Sequence, residues 1–309
     1  MGLFLVTGGA GFVGSHLVQA LIRRGDQVRV LDNLTTGRRE NLAAVAGDIE
    51  FAQADLLDPD AVPRAVAGCE VVFHQAALAS VPRSIDDPLA SHAACATATL
   101  ILLDAARRAG VRRVVYAASS SAYGNQPTPV KRETDLPAPL SPYAAAKLAG
   151  EQYCQAFWHS YGLETVALRY FNVFGPRQDP SGPYAAVIPL FLQAILRGEG
   201  PTIYGDGRQT RDFTYVENVV AANLLAAQRP RVAGRVFNVG SGQATSLLDL
   251  LAVINRLAGT AIEPRFAPPR AGDVRDSLAD ISQARELLGY EPHIDLLTGL
   301  AATLAAARG

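Results

Sequence analysis

A chain of 309 residues has the length of about two domains, and 49% hydrophobic content is enough for a sizeable core. The net charge of −1 at pH 7, with both signs scattered and no basic block, gives no footprint for a nucleic acid. Three cysteines, Cys69, Cys95 and Cys154, are odd in number and lie outside any CxxC pairing, which reads as reduced thiols of a cytoplasmic protein and offers neither a disulfide framework nor a metal site.

The N-terminus, MGLFLVTGGAGFVG, has no basic n-region and no cleavage pattern, so no signal peptide is expected. Leu3–Thr7 is a buried-strand run, and residues 14–24 form a helix with an apolar face. A strand at 27–31, the strand-like run IEFAQA, a helix at 60–67 and a strand at Val71–His74 follow. Residues 94–108 read as a long helix, 114–118 as a strand, 143–161 as a second long helix and 165–170 as a strand. Apolar stretches are short or broken by charge, so no membrane span is expected.

Such alternation implies parallel strands with crossover helices, an α/β fold with a doubly wound parallel Rossmann sheet. After Asn172 the character changes: GPRQDPSGPY is rich in Pro and Gly, and a smaller C-terminal α/β substrate domain is expected. The run RVFNVG at 235–240 reads as a strand that returns to the first sheet, and Leu296–Arg308 is an alanine-rich helical tail. The expected division gives residues 1–171, with about 213–241, to a nucleotide-binding domain, and 172–212 with 242–309 to a substrate-binding domain.

TGGAGFVG follows the first strand and opens the first helix. Glycines there permit a tight turn, let the backbone approach a pyrophosphate and let the helix pack on the strand. The helix N-terminus offers free N–H groups to phosphate. Gly8, Gly11, Phe12 and Val13 are therefore candidate cofactor contacts. Asp32 ends the second strand, where a carboxylate accepts hydrogen bonds from adenosine ribose hydroxyls and repels a 2′-phosphate. Arg38 and Arg39 argue for NADP, but they fall beyond the strand end, and NAD is the better reading. Asn33 accompanies Asp32, Asp55-Leu56 could reach the adenine or form an ordinary turn, and Gln75-Ala76-Ala77 would pass beneath the cofactor.

Tyr143 and Lys147 form a YxxxK pair on one helix face, introduced by Ser141-Pro142 as a helix start. A free tyrosine with a pKa near 10 is a poor base at neutral pH, and a neighbouring ammonium together with a positive nicotinamide ring favours its phenolate. Upstream, AASSSAYG at 117–124 ends a strand on the face where open α/β sheets bind ligands. One serine there can share the reacting hydroxyl's proton with Tyr143.

TGGAGFVGSH, this serine strand end, SPYAAAK, RYFNVFGPRQDP, GDGRQTRDFTYV and RAGDVRDSLADISQA stand together in one order over essentially the whole chain. In that set the chain resembles the extended short-chain dehydrogenase/reductase family, and within it the UDP-hexose 4-epimerases.

The resemblance implies that Ser119 is the catalytic Ser/Thr, Tyr143 the base and Lys147 its orienter and ribose anchor. It places Ser120 and Ser121 beside the sugar and gives Asn172 a substrate phosphate or the glycosyl oxygen. Arg211, Arg270 and Asp273 fall to the UDP diphosphate and ribose, and Val187 and the run 202–204, with Thr202 and Tyr204, flank the uracil. Members that dehydrate carry an Asp-Glu pair after the catalytic Ser/Thr, and those that decarboxylate carry an acid in the same strand end. Ser120 and Ser121 supply neither, which leaves oxidation and return at C4.

One departure stands out. Cys95 occupies the place where the family usually has an asparagine near the cofactor. A small Ser277 before ADISQA resembles enzymes that admit an N-acetyl group, as do SVPRS and GPRQDPSGPYAAVIP, so both UDP-GlcNAc and UDP-Glc are expected as substrates. The family further suggests a homodimer packed through 94–108 and 143–161. The alternatives are a UDP-glucuronate 4-epimerase, another nucleotide-sugar oxidoreductase, or a non-catalytic NAD-binding scaffold. The presence of both Tyr143 and Lys147 speaks against the last.

Overall fold

The computed structural model describes residues 2–180, 186–269 and 274–308. Its centre is a sheet of seven strands: β1 (Leu3–Thr7), β2 (Gln27–Asp32), β3 (Ile49–Gln53), β4 (Val71–His74), β5 (Arg113–Ser119), β6 (Glu164–Tyr170) and β7 (Arg235–Val239). All pair in parallel in the order β7-β6-β5-β4-β1-β2-β3. Runs such as VVFH and RVVYAAS are buried almost throughout, as expected of parallel strands covered on both faces. Two apolar clusters fill those faces, one around Val6, Leu17 and Phe237 and the other around Leu5, Leu102 and Tyr116.

The chain runs outward from β1 to β3, then crosses to β4 on the other side of β1. Thr7 is in register with both Leu31 and His74. This reversal of strand order opens a crevice beyond the carboxyl ends of β1 and β4, where such sheets take ligands.

Helix α1 (Phe12–Arg23) starts at Gly11 with no side-chain cap and no acidic residue in its first turn. Its leading N–H groups thus have no competing partner from a side chain. The next long helix, α2 (Pro88–Arg108), starts six residues earlier than the sequence reading, because Asp87 caps it by accepting from the Ala90 N–H. A π-helical turn over Ala93–Thr97 bulges it. By length and composition α2 could cross a bilayer, contrary to the expectation that no stretch would, and half of its apolar window is buried inside the fold. Helix α3 (Pro142–Tyr161) begins where Ser141 accepts from the Ala144 N–H and ends at Gly162 in a left-handed conformation (φ +71°).

The C-terminal part packs α4 (Val187–Leu196), α6 (Leu247–Ala258) and α7 (Leu296–Arg308) around Phe191, Ile203, Ile254 and Leu300. Helix α5 (Val216–Gln228) precedes β7 and covers the main sheet beside α1. A small sheet runs in the order Thr245–Ser246, Thr210–Arg211, Asp276–Ala279, Val130–Lys131. Two further strand pairs join Val173–Phe174 to Thr214–Tyr215 and Thr202–Tyr204 to Arg265–Ala267.

Candidate active site

A cavity of about 760 Å³ lies beyond β1, β2, β4 and β5. Every residue expected to contact the cofactor lines it: Gly8, Gly11, Phe12 and Val13; Asp32, Asn33, Asp55 and Leu56; Gln75, Ala76 and Ala77; and Tyr143 with Lys147. Gly8 sits at φ +66°, and a Cβ on it would lie 2.7 Å from the backbone of Ala76. A Cβ on Gly14 would collide with the Gly8 carbonyl oxygen. The turn and the helix it opens can close only with glycine at these two positions.

Asp32 is buried and held, its Oδ2 accepting from the Ala10 N–H at 3.0 Å and its Oδ1 from the Leu34 N–H at 2.8 Å. Each oxygen keeps acceptor capacity for a ribose hydroxyl. Asn33 Nδ2 donates to Asp55 Oδ2 at 2.7 Å, and Asp55 Oδ1 accepts from the Leu57 N–H, so these three residues form one rim. Arg38 pairs with Asp179 at 2.7 Å, while Arg39 lies 4.3 Å from the centroid of the Phe51 ring and donates to Gln53. Both arginines thus have partners, and the fixed carboxylate at Asp32 opposes a 2′-phosphate. The cradle fits NAD.

At the inner end Tyr143 packs with Ala77, Cys95, Ala146 and Ala149. Ser119 lies beside its phenol, and the serine Oγ is 2.8 Å from Ser121 Oγ and accepts from the Ser121 N–H. Burial, with Cys95 adding to it, pushes Tyr143 up to about 12, against the pull of the neighbouring Ser119 hydroxyl. Lys147 is buried and pushed down, burial again being the main cause. The expected lowering of the phenol by the ammonium therefore does not dominate; desolvation of both groups outweighs it.

Sequence reasoning passed over three neighbours. Tyr170 ends β6 and lines the cavity, its hydroxyl donating to Gln75 Oε1 at 3.1 Å and meeting Asn223. Arg177 lines it too, at φ +67°, donating to the Asn41 carbonyl and to Gln19. Both stand in RYFNVFGPRQ, the segment in which the sequence reading singles out Asn172 alone.

The third, Asp212, is fully buried beside Arg211. Its carboxylate accepts from the N–H groups of Ser241, Gly242 and Ala279 and from the Ser241 hydroxyl, binding three segments together. Burial raises its pKa against those four donors.

The expected substrate residues do not line the cofactor cavity. Ser120 and Ser121 form the 3-10 turn after β5. Asn172 takes φ +24°, a conformation asparagine tolerates well, and its carbonyl accepts from the Thr214 N–H. Arg211 and Ser277 are direct partners across adjacent strands. Thr202 and Tyr204 share the strand whose Tyr204 carbonyl accepts from Gln209, two residues before Arg211. Val187 opens α4 and packs on the Ile203 cluster. Arg270 and Asp273 lie outside the described residues.

Residues 4–240 match the profile of the NAD dependent epimerase/dehydratase family. The chain belongs to that family. Among its relatives, UDP-glucose 4-epimerase of Mycolicibacterium smegmatis is 44% identical over 305 residues, spanning 97% of this chain and 96% of that protein. The UDP-N-acetylglucosamine 4-epimerase of Methanobrevibacter ruminantium superposes with a TM-score of 0.95 at 41% identity, over 99% of this chain and 98% of that one. The UDP-glucose 4-epimerase of Thermotoga maritima gives 0.94 at 40% identity, again over 99% and 98%.

Proposed function

We propose that this protein interconverts the C4 epimers of a UDP-hexose, with UDP-GlcNAc and UDP-Glc as substrates and a tightly held NAD⁺ as cofactor. One observation carries the reading. Tyr143 and Lys147 face the dinucleotide cavity with Ser119 beside the phenol, and the strand end beside them bears serines at 120 and 121 where elimination would need a carboxylate.

When bound in this cradle, NAD⁺ would supply a hydride acceptor for C4 and, in its reduced form, the donor for the return. Tyr143 takes the proton of the C4 hydroxyl and later gives it back, with Ser119 sharing the hydrogen bond at each stage. Lys147 holds positive charge at the phenol. Arg211, with Arg270 and Asp273, grips the diphosphate and ribose through paired charge-assisted hydrogen bonds. Asn172 adds a contact to phosphate or the glycosyl oxygen, and Val187, Thr202 and Tyr204 flank the uracil. Anchoring at the diphosphate lets the keto sugar turn its other face without escaping.

Incubation of the purified protein with UDP-GlcNAc or UDP-Glc, without added NAD, yields the C4 epimer of each; no epimer from either would reject the reading. Ser277, cross-strand from Arg211, is the small residue that would admit an N-acetyl group. Ser277→Tyr removes turnover of UDP-GlcNAc and spares UDP-Glc, and undiminished GlcNAc turnover would show that the gate lies elsewhere.

The reading extends to assembly and place. A second cavity of about 700 Å³ on the outer faces of α2 and α3, lined by Leu100, Ile101, Tyr153 and Tyr161 among others, supports a homodimer packed through those helices. Three free buried cysteines support a cytoplasmic protein, and the half-buried α2 supports one with no membrane partner.

A further inference from the structure

Of the 28 cationic side chains in this chain, only Lys131 and Lys147 are lysines. Both are buried. Lys131 has ordinary partners, donating to the carbonyls of Gln126 and Thr128. Lys147 has none of that kind: among the described residues no protein acceptor takes a hydrogen bond from its Nζ. Its contact is the face of the Tyr116 ring, 4.3 Å from the centroid. Tyr116 is fully buried in β5, and its hydroxyl donates to the backbone carbonyl of the same lysine at 3.1 Å. Gly150, one turn further along α3, has no room for a Cβ beside that hydroxyl. The ring is thus pinned at one end to α3 and presents its face to the side chain that α3 carries there.

We propose that Tyr116 is the positioning residue for Lys147, its ring face carrying the ammonium and aiming the three N–H donors into the cofactor cavity. A ring face attracts a cation through its quadrupole, most strongly where water is excluded. That attraction matters here because, among the described residues, no carboxylate pairs with Lys147. The groups around Lys147 are Tyr143 and Cys154 on its own helix, Cys95 from α2 and His74 from β4. His74 lies between Thr7 and Thr99, and burial, with Lys147 next in effect, lowers it to about 3, so it stays neutral. Burial drives the Cys154 thiol up. Glu151, one turn on, is taken by Arg169 at 2.6 Å. Burial works to discharge Lys147, and the ring opposes it.

The role given to Lys147 rests on the proposed function, but the interaction itself can be measured without turnover. With two lysines in the chain, the protein labelled with ¹³C at lysine Cε gives two resonances, and Lys147→Arg identifies which is lost. Two shape-conserving replacements isolate the ring: Tyr116→Phe keeps the quadrupole and Tyr116→pentafluorophenylalanine inverts it. Titration of the protein with its cofactor bound should leave the Lys147 midpoint unchanged in Tyr116→Phe and lower it by about one unit in the fluorinated variant. Coincident midpoints in the two variants would overturn the proposal. If the unmodified protein turned over no UDP-sugar, the functional reading would fall while this titration still decided the role of Tyr116.

Discussion

Tyr143→Phe lowers turnover of UDP-GlcNAc and UDP-Glc by at least about two orders of magnitude, the scale of a lost general acid/base. The substitution removes one oxygen from a ring packed among Ala77, Ala146 and Ala149, so the fold and the cradle at Gly8 and Asp32 keep their form. The loss therefore falls on kcat, with retained NAD and little change in KM. Ser119 remains but cannot replace the phenol, since a serine hydroxyl lacks a pKa near the working range. Its Oγ is also engaged with the Ser121 N–H and hydroxyl. Near-normal turnover by Tyr143→Phe would remove Tyr143 from the chemistry.

The second large effect is on stability. Arg169 of β6 makes two hydrogen bonds to Glu151 of α3, at 2.8 and 2.6 Å, with both side chains almost wholly buried. The guanidinium also lies 4.6 Å from the centroid of the Tyr123 ring. This pair clamps the helix bearing Tyr143 and Lys147 to the sheet. Removing one member leaves a buried charge uncompensated, which costs about 3–5 kcal/mol, whereas replacing both with apolar residues costs much less. Glu151→Ala is accordingly expected to lose about 3–5 kcal/mol in urea unfolding. The double variant Glu151→Leu with Arg169→Leu recovers most of that. A single substitution as mild as a surface change would show that the helix is held by its apolar contacts instead.

The sheet was legible because its physics is local. Leu3–Thr7 and Val71–His74 are apolar up to their last residue, and covered parallel strands need that pattern. The dinucleotide cradle was equally legible, since Gly8 and Gly14 answer steric demands that no other residue meets. Helix α2 was read six residues short: Asp87-Pro88 is a helix start whose signal was passed over, and the π turn at Ala93–Thr97 has no pattern in sequence. The choice between NAD and NADP was blurred by Arg38 and Arg39 until Asp179, 141 residues downstream of Arg38, and Phe51 accounted for them.

Spacing alone could not assemble Arg211, Ser277, Thr202 and Val187, which come from separate segments; the resemblance supplied them. Tyr116 and Asp212 were hidden for a different reason. One reads as a strand residue and the other as the neighbour of an arginine, and only packing reveals what their polar atoms hold.

The central claim is that one carbon of the sugar gives up its hydrogen and receives the same hydrogen back. UDP-GlcNAc carrying deuterium at C4, incubated with the purified protein in ordinary water, tests it most directly. The account predicts that the epimer retains the deuterium at C4. Deuterium released to solvent, or found at another carbon, would contradict it.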